Sequence, residues 1–368
     1  MRVLLVSPKS KLPIDTRTSP PLGLAYLAAV AEQRGDVVRV HDGDVEDTPL
    51  EAIIGQFAPD VVGITANTTQ IMAAWRDAEL TKSICDAAVV LGGPHPTTLP
   101  EESAAKPGVD VVVRSEGEVT WLELLSAFEQ LSEQESAFSP TVADILQPIA
   151  GITYLDEHGA PVSTPDRPPI PAEELDKMPF PAWDLFRLDL YTNLQPTVDH
   201  VEGRSLPILT SRGCPYRCSY CSQIGPRRWR ARSAESVVAD WRWLVQELDA
   251  AEIGVLDDSF NIERQRVLDI CSRLVDEGLG EVPWIMINGI RANVADEEVL
   301  GAMVAAGCIR AAFGVESGNQ EILDSVVDKH LTLDQVRAAF KAARAVGMET
   351  IGFFIVGLPG ETEATMDD

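Results

Sequence analysis

Along the first third of the chain short apolar runs alternate with segments of helical periodicity, a rhythm that predicts a parallel sheet wrapped by helices. The expected strands are residues 3–7, 37–41, 61–65, 88–92 and 111–114. Five strands with four intervening segments make a flavodoxin-like, Rossmann-type doubly wound α/β unit over residues 1–130. Ligands of such sheets sit at the carboxyl ends of the strands, near the switch in strand order.

From 131 to 205 the periodicity fades into a connector rich in proline, with Pro161, Pro165, Pro168, Pro169, Pro171, Pro179 and Pro181. Ile152-Thr153-Tyr154 followed by His158-Gly159 predicts one small hairpin within it. A second alternation occupies 206–368, with strands expected at 206–210, 252–256, 284–287, 309–314 and 350–356. Thr332-Leu333-Asp334-Gln335 reads as a capping box, Gly347 ends the helix it opens, and Gly307 stops another over 296–306. This is the order of a partial (β/α) barrel, whose sites lie at the carboxyl ends of its strands.

The 368 residues can bury a sizeable core, and 45% of them are apolar. No run approaches the ~20 apolar residues that span a bilayer, so a cytoplasmic, soluble protein is expected. A formal net charge of −27 opposes nucleic acid and anionic membranes as partners. The exception is a run of arginines, Arg227, Arg228, Arg230 and Arg232: either a solvated turn or a patch that steers an anionic substrate or an electron donor.

Just before it lies Cys214-Pro215-Tyr216-Arg217-Cys218-Ser219-Tyr220-Cys221. Three thiols at CxxxCxxC spacing can ligate three irons of a four-iron cluster and leave the fourth open to a small molecule. A structural zinc site would want a fourth ligand, usually from a second paired arm. No such arm exists, and His41, His95, His158, His200 and His330 are scattered. Three of six cysteines bunched in eight positions of a long chain also argue against a disulfide framework. Cys85, Cys271 and Cys308 read as small buried residues.

With Tyr220 before the last cysteine, the segment resembles the CxxxCxΦC signature of the radical S-adenosylmethionine (SAM) superfamily. That resemblance implies a [4Fe–4S] cluster on Cys214, Cys218 and Cys221, with SAM chelating the open iron. Further motifs follow successive expected strands of a radical SAM (β/α)6 TIM-like barrel. Asp257-Asp258-Ser259-Phe260 falls where family members contact the SAM amino group, and Asn288 and Arg291 end the third strand. Gly314-Val315-Glu316-Ser317-Gly318 falls where the ribose or carboxylate is bound, and Gly357-Leu358-Pro359-Gly360-Glu361-Thr362 near the adenine. Singly, an acidic pair can be a helix cap and GLPGET a turn; their ordered placement is what argues against coincidence. The family's sixth barrel strand is missing, so an apparent truncation after the fifth strand and an exposed apolar edge are expected.

The N-terminal loops resemble the cobalamin-binding domain that precedes the barrel in cobalamin-dependent radical SAM enzymes. They are Ser7-Pro8, Thr65-Ala66-Asn67-Thr68, Gly92-Gly93-Pro94-His95-Pro96-Thr97 and Glu116-Gly117-Glu118, with Pro20-Pro21-Leu22-Gly23 opening the first helix. Residues 175–183 resemble the family's linker. Glycines at a strand end let a flat macrocycle approach the backbone. The DxHxxG loop that supplies cobalt with a histidine is absent: Asp15 has Arg17 two positions on, His41 has Arg39 before it, and His158 has Pro161 where glycine should stand. Cobalt is therefore expected without a histidine as lower ligand, and His95 as a loop residue beside the corrin.

The resemblance implies that SAM is split to a 5′-deoxyadenosyl radical, which takes hydrogen from an unactivated carbon, and that methylcobalamin methylates the resulting substrate radical. The substrate class is a small molecule or peptide, and an external donor such as flavodoxin or ferredoxin supplies electrons. Alternatives are a non-methylating member doing ring contraction, cyclisation or hydroxylation, and an inactive fragment that only binds cofactors. A tRNA methylthiotransferase is disfavoured by the charge and by the lack of three N-terminal cysteines.

Overall fold

The computed structural model describes residues 1–10, 19–132, 142–191, 203–222, 224–225 and 227–368. Asp15, Arg17 and His200 lie outside the described residues. The chain divides into two compact units: Met1–Ile170 with Lys177–Tyr191, and Pro171–Asp176 with residues 203–368.

The first unit runs β1 (Arg2–Ser7), α1 (Leu22–Arg34), β2 (Val37–Asp42), α2 (Leu50–Phe57), β3 (Val61–Thr65), α3 (Ile71–Ile84) and β4 (Ala88–Gly92). It continues with α4 (Pro94–Thr98), α5 (Pro100–Ala104), β5 (Val111–Val113), α6 (Glu118–Ser132), α7 (Val142–Leu146), β6 (Ile152–Leu155) and β7 (Pro161–Ser163). The sheet order is β2-β1-β3-β4-β5-β6-β7, parallel through β5, so the strand order switches between β1 and β3. Alternate side chains of β1 serve the two faces: Leu4 and Val6 pack with Ile53, Ile54, Phe57, Ile71 and Ala74 of α2 and α3. On the opposite face Leu5 approaches Trp121 of α6 across Gly63, where a Cβ would lie 2.8 Å from Leu5 and 3.0 Å from Trp121.

The hairpin expected inside the connector instead extends this sheet, because β6 pairs antiparallel with β5 at Val111↔Tyr154. Arg114 pins it, donating to the Ile152 carbonyl, to Thr153 Oγ1 at 2.6 Å and to Asp166 at 2.9 Å. The later proline-rich stretch also returns to the first unit, with Trp183 fully buried and the Tyr191 hydroxyl donating to Asp42 at 2.6 Å.

The second unit contains α8 (Ala172–Leu175), β8 (Arg204–Ile208), β9 (Ser211–Arg212), β10 (Arg230–Ala231), α9 (Ala234–Gln246), β11 (Ala250–Val255), α10 (Arg264–Asp276) and β12 (Trp284–Ile290). After these come α11 (Glu297–Ala305), β13 (Cys308–Glu316), α12 (Gln320–Ile322), α13 (Leu333–Ala345), β14 (Glu349–Phe354) and α14 (Glu363–Met366). Five parallel strands stand in chain order, β8-β11-β12-β13-β14, which is barrel order. Trp241, Trp284 and Phe260 interlock edge to face at 5.4 and 6.0 Å beneath α9. The helices start where the side chains cap them: Ser233 accepts from Ser236, Asp296 from Val299, and Thr332 with Gln335 forms the expected capping box. Gly307, at φ +92°, brings its backbone so close to Gly280 that a Cβ would lie 2.3 Å from the carbonyl oxygen. Among the described residues no helix is long and apolar enough to cross a membrane.

Candidate functional site

The cysteines sit on a loop clamped at its base by the short ribbon of β9 and β10, where Arg212 faces Arg230. Its middle is docked on a π-helical turn at Leu323–Val327, since the Ser219 N–H donates to the Val327 carbonyl at 2.9 Å. Each strand end adds a tether. After β11, the Ser259 hydroxyl donates to Cys214 Sγ at 3.2 Å. After β12, the Arg291 guanidinium stacks 3.5 Å over the Tyr216 ring, while its backbone exchanges two hydrogen bonds with the Asn261 amide at 3.0 Å. At the end of β13, Glu316 accepts from the Tyr220 hydroxyl at 2.6 Å and pairs with Lys329.

Glu316 is buried at 5% exposure and holds φ +72°, a left-handed backbone that a glutamate adopts only under strong constraint. Gly314 makes room for it: a Cβ there would lie 2.5 Å from Glu316 Oε1 and 2.6 Å from Lys329 Nζ. Burial pushes the Cys218 thiol up, opposed by the cationic Lys329 and Arg291 nearby. Burial and the Glu316 carboxylate raise the Tyr220 hydroxyl, which therefore stays a donor.

The acidic pair after β11 divides its labour. Asp257 is fully buried and accepts from the Thr210 N–H and hydroxyl at 2.6 Å and from the Ser211 hydroxyl at 2.5 Å. It welds β8 to β11, and its carboxylate does not face a ligand as expected. Asp258 is the exposed member, its pKa raised by its surroundings and by the Asp257 charge. Asn288 lies inside β12 rather than at its end, donating to the Leu256 carbonyl at 2.7 Å. Ser317 is buried and caps the Asn319 N–H at 3.2 Å. Gly357 and Gly360 both hold positive φ, and the Gly357 and Leu358 N–H groups donate to Glu361 at 2.7 and 2.8 Å, leaving Pro359 exposed at the turn.

Of the expected arginine patch, only part faces solvent. Arg230 and Arg232 are buried, Arg232 against Asp240, whereas Arg227 and Arg228 are exposed. Cys271 and Cys308 are buried, with the Cys271 thiol pushed up to about 12, as suits inert core residues. Among the described residues no set of His, Cys, Asp or Glu converges on a point where one metal ion would sit.

In the first unit the expected cofactor loops follow β1, β3, β4 and β5, which are neighbours in the sheet. The Asn67 side chain is occupied locally, accepting from the Thr69 and Gln70 N–H groups at 2.9 and 3.1 Å. Thr68 Oγ1 meets His95 Nδ1 at 3.2 Å, and His95 is buried against Trp75. Glu116 accepts from the Ile170 N–H at 2.8 Å, Gly117 faces Leu27, and Glu118 is buried at the start of α6. The two glycines differ. Gly93, at φ +98°, is pressed on the end of β3, where a Cβ would lie 2.8 Å from Thr65 Oγ1 and 2.9 Å from the Ala66 carbonyl. Gly92 has no neighbour nearer than 4.0 Å to its missing Cβ, so the space beside it is open. Ser7 and Pro8 line a separate cavity of about 500 Å³ with His41, Glu46 and Asp77.

Lys329, Ser259, Ser219 and Gly314 have roles here that spacing does not announce. Lys329 lies between Asp328 and His330, both at φ +53°, a backbone kink invisible in the amino-acid pattern.

The B12 binding domain family matches residues 16–125, and the Radical SAM superfamily matches residues 208–368. An uncharacterized methyltransferase of Pyrococcus horikoshii is 36% identical, over 100% of this chain and 76% of its own length. The anaerobic magnesium-protoporphyrin IX monomethyl ester cyclase of Rubrivivax gelatinosus is 32% identical, over 95% of this chain and 61% of its own. The fold is shared with the radical SAM methyltransferase TsrM of Kitasatospora setae, solved with cobalamin and a [4Fe–4S] cluster. Its TM-score is 0.76 at 22% identity, over 99% of this chain and 68% of that one.

Proposed function

This chain belongs to the cobalamin-dependent radical SAM enzymes, and we propose that it transfers a methyl group to an unactivated carbon of a small-molecule or peptide substrate. The observation that carries this reading is the convergence of three strand ends on one cysteine loop in a chain whose first unit bears the B12 binding match. When bound, the cluster, SAM and cobalamin would supply an electron, a hydrogen-abstracting radical and a methyl group.

The chain's own residues hold and orient these groups. Cys214, Cys218 and Cys221 hold three irons, and the Ser259 hydroxyl takes up charge on Cys214. Lys329 and Arg291 offset the negative charge gathered at Cys218. Asp258, exposed beyond β11, suits the SAM ammonium. The polar groups at the ends of β13 and β14, Glu316, Ser317, Gly357 and Gly360, suit its ribose and adenine. Gly92 gives the corrin a flat approach, with Thr68 and Pro94 exposed beside it.

We further propose that β14 is not the natural edge of its sheet. Phe353, Phe354 and Val356 are 41%, 62% and 77% exposed there, an apolar rim of the kind that a further strand covers. Residues 1–130, 131–205 and 206–368 are proposed as cobalamin domain, connector and radical SAM domain, with the hairpin β6–β7 serving the first sheet.

A non-methylating reaction is the second reading, favoured by the cyclase relative. The test is anaerobic incubation with SAM, methylcobalamin and dithionite, read by mass spectrometry. S-adenosylhomocysteine together with 5′-deoxyadenosine is expected. 5′-Deoxyadenosine alone would favour the second reading, and neither product at full iron content would leave an inactive cofactor-binding fragment.

A further inference from the structure

The chain carries 57 acidic residues against 30 basic, yet residues 203–234 hold seven arginines and no aspartate or glutamate. This stretch contains the cysteine loop. The structure sorts its arginines. Arg230 and Arg232 are buried, and Arg204 donates to the Leu248 carbonyl at 2.8 Å. Arg217, Arg227 and Arg228 are exposed, as is Cys221. Arg217 directly precedes Cys218, and Arg227 folds back to donate to the Tyr216 carbonyl, so the exposed charge lies against the cysteine loop itself.

Several other arginines of this unit are matched by carboxylates, Arg242 with Glu277, Arg264 with Asp296 and Glu298, and Arg337 with Asp334, while the exposed Arg273 and Arg344 stand singly outside the arginine-rich stretch. Among the described residues no carboxylate pairs with Arg217, Arg227 or Arg228. Three exposed arginines on an acid-free stretch of a chain of net charge −27 are a local reversal of its overall charge.

Resting on the reading that these cysteines hold a cluster, we propose that Arg217, Arg227 and Arg228 form the docking surface for a small acidic one-electron carrier protein. The reduced carrier gives up one electron and the cluster accepts it; no bond forms or breaks. The arginines select acidic carriers because the rest of this chain repels them, so productive encounters are funnelled to the exposed Cys221 side of the loop. A small anionic substrate is less well matched, since three exposed guanidiniums offer no enclosure.

The test titrates oxidised flavodoxin into the iron-reconstituted full chain and reads binding at about 20 mM and about 300 mM salt. The variant is Arg217→Glu/Arg228→Glu, which keeps Arg227 and its bond to Tyr216. Wild type should bind about tenfold more weakly at the higher salt, and the variant about tenfold or more weakly than wild type at the lower. Iron content and dithionite-driven SAM cleavage should stay at wild-type level. Equal flavodoxin affinity for both proteins, or wild-type binding indifferent to salt, overturns the proposal. So does loss of dithionite-driven cleavage with flavodoxin binding intact, which assigns the arginines to a substrate anion instead. If wild type binds flavodoxin but never cleaves SAM with dithionite at full iron content, the proposed function fails while the docking surface stands. Should the charge reversal misfold, Arg217→Ala/Arg228→Ala carries the same expectation at smaller size.

Discussion

Replacing Lys329 with methionine removes one member of a buried ion pair and leaves the other in place. Lys329 and Glu316 side chains are 9% and 6% exposed, and no described cation besides Lys329 pairs with the carboxylate. Glu316 would keep only the Tyr220 hydroxyl, at 2.6 Å. Stranding a buried charge this way costs about 3–5 kcal/mol, whereas removing both charges together is often near neutral. For a unit of this size that is roughly a 10 °C fall in its unfolding midpoint. The assay is calorimetric unfolding of Lys329→Met, Glu316→Gln and the double variant, with iron content measured on each. The double variant is expected to regain most of the loss, since its neutral amide still accepts from Tyr220. The reasoning is refuted if Lys329→Met costs under about 1 kcal/mol, or if the double variant is as unstable as the single one.

Cys218→Ala should lose iron and SAM cleavage while binding cobalamin as wild type does; cobalamin loss in a titration followed by absorbance would contradict the two-domain reading. Gly93→Ala should destabilise by about 2–4 kcal/mol in urea unfolding, because positive φ and a Cβ 2.8 Å from Thr65 act together. Gly92→Ala should fold normally yet weaken cobalamin binding, and unchanged affinity would remove Gly92 from the site. Burial raises Asp77 from 3.8 to about 6, so its stabilising share is fully present below about pH 4 and lost as pH rises through 6. Asp77→Asn should therefore match wild type at pH 4 and exceed it by roughly 1–3 kcal/mol at pH 8, measured by urea unfolding at both; a gain at pH 4 would contradict the assignment.

The strands were legible because apolar runs punctuated by glycine and proline report local periodicity, and all ten expected strands appear with ends moved by a few residues. Caps were equally legible: Thr332 and Gln335 bond as their spacing implies. What the pattern hid is pairing between distant residues. Nothing in Ile152-Thr153-Tyr154 says that it extends the first sheet, because that depends on Val111 being free to pair. An acidic pair after a strand suggests two ligands, but Thr210 and Ser211, 47 and 46 positions away, claim Asp257. The arginine run looked uniform, yet tertiary packing buried Arg230 and Arg232 and left Arg228 in solvent. Lys329 escaped notice for the same reason, since its partner lies thirteen residues earlier across a π-turn.

The most direct measurement is electron paramagnetic resonance of the reduced, iron-reconstituted chain with and without SAM, compared with Cys214→Ala, Cys218→Ala and Cys221→Ala. A reduced [4Fe–4S] signal whose g-values shift on adding SAM, and which each single substitution abolishes, is the predicted result. A cluster signal indifferent to SAM, or one that persists without Cys218, would contradict the account.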